Sequence, residues 1–341
     1  GKYMTACKNK QVLLISRPKG IPAADNFQIV ESVLPVITRD QVLVRNIYLS
    51  VEPAMKGWVS ATGNYAEPVA LNSVMRSFAT GVVIDSLHPN FLPGEFVTGL
   101  FGWQEYALVE AGVIDRKIAA HSLPISTSLG VLGLNGMTAY FGLLDIGQPL
   151  SEETVVVSTA AGAVGSCVGQ IAKLKNCHTI GITGSQEKVD LCKQLYQYDQ
   201  AINYNDEKFE KELAQACPKG IDVYFDNTGG IISDAVLQLL NIGGRIVVCG
   251  TSSISNWEEH PVGPRQERKI LVNRARMEGF LVFDYKERYP EALAALTEWV
   301  STGLIKYREE ILCGIEKAPC SISSLYRGTN LGKCLIQIYK I

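Results

Sequence analysis

Residues Val155 to Lys175 read VVVSTAAGAVGSCVGQIAKLK. Within them Ala160-x-Gly162-x-x-Gly165 has the spacing of a dinucleotide fingerprint, with alanine at its first position. Glycine at 162 lets a backbone approach a pyrophosphate. Glycine at 165 lets a helix pack closely on the preceding strand. A helix starting there offers unpaired N–H groups and a positive dipole end to phosphates. A tight strand–helix turn that binds nothing has the same spacing. The setting favours binding, because a β-branched run precedes the motif, a helical pattern follows it, and further strand–helix pairs come after.

The next strand of that pattern ends in GITGSQEKVD. An NAD site usually has an acidic residue about 20 positions after the fingerprint, bonded to the ribose 2′-hydroxyl. Here Thr183, Gly184 and Ser185 stand at the strand tip, and no acid occurs before Glu187. Lys188 lies in the first turn of the next helix. Small donors and a cation suit a 2′-phosphate, which a carboxylate would repel. The cofactor expected is NADP(H).

Metal chemistry has no sequence support. The nine cysteines are scattered and never spaced C-x-x-C, as expected of reduced thiols in the cytoplasm. His88, His121, His178 and His260 form no H-E-x-x-H motif. A net charge of -2 gives no electrostatic case for a nucleic-acid partner. No apolar run approaches the roughly 20 residues of a membrane-spanning helix. The first ten residues, GKYMTACKNK, lack the apolar core of a signal peptide. A small-molecule partner in the cytoplasm is the expectation.

Two kinds of module must hold these residues. With 341 residues, 47% of them hydrophobic and 19% charged, the chain can bury two cores. Up to about residue 120 it reads as short strands with frequent turns: QVLLIS, QVLVRNIYLSV, ATGVVIDS and EFVTGLFGWQEYALV. From about 121 to 310, buried-strand runs (TVVVST, HTIGIT, QAINY, IDVYFDN, GRIVVCG) alternate with helices predicted near 163–175, 186–197, 207–217 and 230–241. GFLVFDY is predicted as a sixth strand. That alternation argues an α/β unit with a doubly wound parallel sheet covered on both faces. The tail, with KCLIQIYK, is strand-like again, and residues 311–341 are expected to complete the first module.

The segments AAGAVGSCVGQIAKLKNC, GSQEKVDLC, AINY, YFDNTGG, CGTSSIS, RMEGFLVFDY and NLGKCLIQI are similar to those of the zinc-independent medium-chain dehydrogenase/reductases. More narrowly, they resemble the leukotriene B4 dehydrogenase/prostaglandin reductase branch, with plant double-bond reductases and bacterial curcumin reductases. The likeness runs over nearly the whole chain. It implies a GroES-like β-rich domain and a Rossmann-type domain, usually in a homodimer. It implies NADPH-dependent reduction of the C=C bond of α,β-unsaturated ketones and aldehydes. NADPH:quinone oxidoreduction and a non-catalytic NADPH-binding role are the alternatives.

Carried over by residue, the resemblance places Gly162, Ala163, Val164 and Gly165 at the pyrophosphate, and Ser185, Lys188 and Tyr204 around the 2′-phosphate. Asn227 would lie by the ribose, and Cys249, Gly250 and Thr251 would follow the fifth strand. Phe280, Leu281 and Val282 would flank the nicotinamide, which Asn330 would reach from the tail. Two positions depart from the pattern. In LSVEPAMKG, Glu52 and Ala54 stand where the family usually has Asp and Tyr, which implies an altered or enlarged pocket mouth. Val272 stands where eukaryotic members have a tyrosine proposed as proton donor. Hydride delivery to the β-carbon leaves an enolate oxygen needing a donor, and protonation of the α-carbon completes the reaction. Tyr65 is the candidate donor; Tyr285 and the nicotinamide ribose hydroxyl are alternatives.

Overall fold

A computed structural model describes residues 8–61, 66–119, 123–254, 259–328 and 330–341. Eight strands come first: β1 (Lys8–Leu14), β2 (Phe27–Val33), β3 (Gln41–Ser50), β4 (Ser73–Val74), β5 (Ala79–Ser86), β6 (Phe96–Gly99), β7 (Tyr106–Glu110) and β8 (Ile114–Lys117), with one short helix, α1 (Met55–Trp58). After α2 (Leu134–Phe141) the rhythm changes. The chain runs β9 (Thr154–Ser158), α3 (Ala163–Leu174), β10 (His178–Thr183), α4 (Gln186–Gln194), β11 (Gln200–Asn203) and α5 (Phe209–Ala216). It continues through β12 (Ile221–Asp226), α6 (Gly230–Leu237), β13 (Leu240–Val248), α7 (Glu267–Asn273), β14 (Arg276–Gly279) and α8 (Tyr289–Ser301). The tail adds β15 (Glu309–Cys313), α9 (Ala318–Tyr326) and β16 (Lys333–Gln337).

These elements form two compact units, Gly1–Leu129 with Glu309–Ile341, and Gly130–Arg308. In the first, β2-β1-β4 make a small sheet, and β15-β16-β3-β5-β6-β8 run through a larger one with β7 paired to β3. The returning strand β16 lies antiparallel to β3, with Leu335 opposite Ser50. The run from Glu95 to Val109, which reads as continuous strand, is two strands. Gly102, at φ +80, turns the chain between them.

In the second unit the order is β11-β10-β9-β12-β13-β14, and each paired neighbour is parallel. Strand β9 is buried at all five residues, as expected for a central strand covered on both faces. The order reverses between β9 and β12, the switch point where such sheets bind ligands beyond their carboxyl ends. The sixth strand exists, but it is RMEG (Arg276–Gly279), upstream of the predicted GFLVFDY. Residues Val282–Arg288 instead form a 3-10 turn that leads into α8. The apolar residues of that segment pack as a turn: the Phe280 ring meets Phe225 edge-on at 6.4 Å.

A candidate dinucleotide site

The turn after β9 is set by close contacts. Thr159 sits at φ +50, a left-handed conformation unusual for a β-branched residue. It supplies the sharp bend ahead of Ala160, where the fingerprint more often has glycine. A Cβ on Gly165 would lie 2.2 Å from the Thr159 carbonyl oxygen, so only glycine lets α3 approach β9 this closely. From the other side, the Tyr198 hydroxyl donates to the Gly165 carbonyl at 2.7 Å, its ring buried beneath the turn.

The start of α3 suits an anion. Gly162 is its N-cap, no side chain caps it, and its first turn carries no acidic residue. The N–H groups of Ala163, Val164 and Gly165 occupy the turn that has no intrahelical acceptor. One element thus brings the four residues Gly162 to Gly165 together at the carboxyl end of β9, in a cradle that side chains would fill.

At the tip of β10, Ser185 caps α4 by accepting from the Lys188 N–H at 3.3 Å. Its hydroxyl proton remains available to a ligand. The Lys188 side chain makes no ion pair among the described residues. Tyr204 follows β11, with its N–H on the Thr183 carbonyl at 3.0 Å. Its hydroxyl would lie 3.0 Å from a Cβ on Gly184, which places the ring against that glycine. Ser185, Lys188 and Tyr204 therefore gather around one strand tip, and Thr183, Gly184 and Ser185 bring no carboxylate to it. The donor set fits a phosphate monoester.

The other expected residues divide. Asn227 lies at the switch point, but its side-chain amide donates to the Ser158 carbonyl at 2.8 Å while its backbone N–H donates to the Ser158 hydroxyl oxygen at 2.9 Å. It ties the end of β12 to the end of β9. Cys249 and Gly250 both donate their N–H groups to the Asp226 carbonyl, at 2.9 and 3.1 Å. Burial and the neighbouring Asp226 push the Cys249 thiol up to about 12, so it stays protonated. Thr251 follows on the surface. Phe280, Leu281 and Val282 lie after β14, with Val282 buried.

Tyr285 is stacked on Phe141 with ring centroids 4.6 Å apart, and Arg288 lies over both rings. Burial, then the charge of Asp145, raise its phenol above the ordinary range, which keeps it protonated. Asn330 belongs to the first unit, where its amide donates to the Gly332 carbonyl at 3.3 Å. Tyr65 lies outside the described residues.

Several residues that shape the site have no motif. Asp226 accepts from the N–H groups of Thr228 and Gly229 at 2.9 and 2.8 Å and from the Ser233 hydroxyl at 2.7 Å. Buried, it folds the turn between β12 and α6. The "FDN" sequence hinted at this, since Asp favours such turns. For Thr159, Ser158 and Tyr198 the sequence held no signal.

Residues 10–116 match the family model described as the N-terminal domain of oxidoreductase, and 163–298 the one described as zinc-binding dehydrogenase. Among the described residues, no group of three or more His, Cys, Asp or Glu is placed to hold a metal ion. The chain is 45% identical to the putative NADP-dependent oxidoreductase YfmJ of Bacillus subtilis, over 98% of its own length and 99% of the relative's. It is 41% identical to the NADPH-dependent curcumin reductase of Escherichia coli, over 97% of each. The structure of CurA from Vibrio vulnificus in complex with NADPH superposes with a TM-score of 0.91 at 41% identity, covering 97% of this chain and 100% of that one. The chain belongs to the medium-chain dehydrogenase/reductases, in the branch of the curcumin, alkenal and prostaglandin reductases.

Proposed function

We propose that the protein is an NADPH-dependent reductase of the C=C bond of α,β-unsaturated ketones and aldehydes. The observation that carries this is the 41% identity to NADPH-dependent curcumin reductase along 97% of the chain. The binding geometry supports it. Gly162 to Gly165 would hold the pyrophosphate on their N–H groups. Ser185, Lys188 and Tyr204 would hold the 2′-phosphate at a strand tip with no carboxylate. Asn227, Cys249, Gly250 and Thr251 would border the ribose, and Phe280 to Val282 the nicotinamide.

When bound, NADPH supplies the hydride for the β-carbon of the enone. The chain's own tasks are then to hold the substrate, exclude water and place a proton. Tyr65 is the proposed proton donor and Tyr285 the second. A donor must be protonated at working pH, and the raised phenol of Tyr285 meets that condition. No zinc is needed, because charge develops on a delocalised enolate.

The assay follows NADPH consumption with a simple enone, with a quinone and with no acceptor, in excess chelator. Turnover with the enone alone is expected. Turnover with the quinone alone would move the assignment to quinone oxidoreduction. None with either would leave a binding protein, and loss of enone turnover on chelation would show a metal requirement.

The protein is further proposed to work in the cytoplasm as a homodimer. The edge strand β14 is exposed at all four residues, and Leu271, Val272 and Met277 beside and within it are at least half open or nearly so, at 74%, 53% and 48%. An uncovered strand edge invites pairing with a second copy. Light scattering should give twice the 37.2 kDa of the chain; the mass of one chain would refute the dimer.

A further inference from the structure

One β-turn holds the tip of β10 from two sides. Strands β10 and β11 are parallel, with Thr183 opposite Asn203. At the end of β11 the chain turns through Asn203 to Asp206, where the Asp206 N–H donates to the Asn203 carbonyl at 3.1 Å. The Asn203 side chain tightens this turn by accepting from the Asn205 backbone N–H at 2.9 Å. The two central residues, Tyr204 and Asn205, both reach Gly184. The Tyr204 ring lies against that glycine. The Asn205 side-chain amide donates to the Gly184 carbonyl at 2.9 Å, across 21 positions of the chain.

The bracket fixes two consecutive carbonyls. Thr183 accepts from the Tyr204 N–H at 3.0 Å, and Gly184 accepts from Asn205. The peptide between Gly184 and Ser185 is trans, so its N–H points opposite to its carbonyl and away from the turn. Ser185 comes next and caps α4. Asn205 thereby sets where the tip carries the Ser185 hydroxyl relative to the Tyr204 hydroxyl. The residue type matters as much as the place. An amide can donate to a carbonyl and carries no charge. An ionised aspartate of the same shape could not donate, and it would bring a carboxylate to a tip that has none. The nearest acids in the sequence are engaged elsewhere: Glu187 lies in the first turn of α4, and Asp206 accepts from the Lys208 N–H at 2.9 Å.

We propose that Asn205 is a positioning residue for cofactor selection. By holding the Gly184 carbonyl it keeps Ser185, Lys188 and Tyr204 in the arrangement that receives a 2′-phosphate. The inference rests on the proposed assignment of those three residues to the 2′-phosphate, and it does not depend on which bond the enzyme reduces. Its effect is selective, because the pyrophosphate belongs to a different element, the start of α3. Loosening the tip of β10 therefore acts against a ligand with a 2′-phosphate and spares one without it.

The test is calorimetry on the full chain with adenosine 2′,5′-bisphosphate and with adenosine 5′-monophosphate. The two ligands differ only in the 2′-phosphate, and neither takes part in hydride transfer. The parent should bind the bisphosphate more tightly. Asn205→Ala should weaken the bisphosphate by about 2- to 10-fold, the worth of one neutral hydrogen bond, and leave the monophosphate nearly unchanged. Asn205→Asp, which keeps the shape, loses the donor and adds a charge, should weaken the bisphosphate further. The side chain is exposed, so both variants should fold. Equal weakening of both ligands by Asn205→Ala would make the residue a general support of the turn and overturn the proposal. So would a variant that discriminates as well as the parent, in which case the 2′-phosphate assignment stands without Asn205. A parent that binds both ligands equally would remove that assignment and the proposal with it.

Discussion

The turn after β9 and the packing beside α1 use opposite strategies. In the turn, the chain's own groups fix the backbone: Gly165 is pressed on Thr159, Tyr198 bonds Gly165 from beneath, and Asn227 bonds Ser158. What remains open is a set of backbone N–H groups at a helix start, where exposure costs little. Beside α1, which ends at Trp58, the indole Nε1 of Trp58 and the Nη1 of Arg76 are buried with no hydrogen-bond partner among the described residues, and the guanidinium lies over the indole ring. Each such donor costs about 1–3 kcal/mol. A site made of backbone can be stable while empty. Buried side-chain donors without acceptors cost stability, so the backbone cradle is the arrangement that suits a cofactor.

If that contrast is right, the largest effect comes from disturbing the backbone site. Gly165→Ala puts a Cβ where the Thr159 carbonyl oxygen already lies, 2.2 Å away. Helix α3 must shift outward, at a cost of about 1–3 kcal/mol in stability. NADPH binding should be lost almost completely, measured by fluorescence titration. Near-normal affinity would show that the turn tolerates movement and that the cradle is not preformed.

A smaller and more selective loss is expected at the strand tip. Lys188→Ala removes one charged hydrogen bond, worth about 1.5–3 kcal/mol. NADPH should bind about 10- to 100-fold more weakly while NADH changes little. Equal weakening of both cofactors would remove Lys188 from the 2′-phosphate site. Tyr65→Phe should lower kcat by up to about 100-fold, the lower end for removing an oxyanion donor. It should leave NADPH affinity alone, because the bond strengthens only as charge develops. If kcat is unchanged and Tyr285→Phe lowers it instead, the donor roles exchange.

The backbone site was legible in the sequence because it rests on spacing. A β-branched run, two glycines three apart and a helical pattern can be read from neighbouring letters. The strand tip was legible for the same reason, through a carboxylate that is missing. What the sequence hid depends on residues far apart in the chain. Tyr198 meets Gly165 across 33 positions, and Trp58 meets Arg76 across 18. Thr159 hid differently, since nothing in a threonine announces φ +50. The sixth strand was misplaced because GFLVFDY has the composition of a strand. Its aromatic rings pack on Phe225 and Phe141 in a turn, so tertiary contacts overrode local preference.

The central claim is that the reduced bond is C=C, with NADPH as donor. It is tested most directly by identifying the product from 4-phenylbut-3-en-2-one and NADPH by chromatography and mass spectrometry. The account predicts the saturated ketone, 4-phenylbutan-2-one, formed one for one with NADPH consumed. The allylic alcohol, or NADPH consumption with the enone recovered intact, would contradict it.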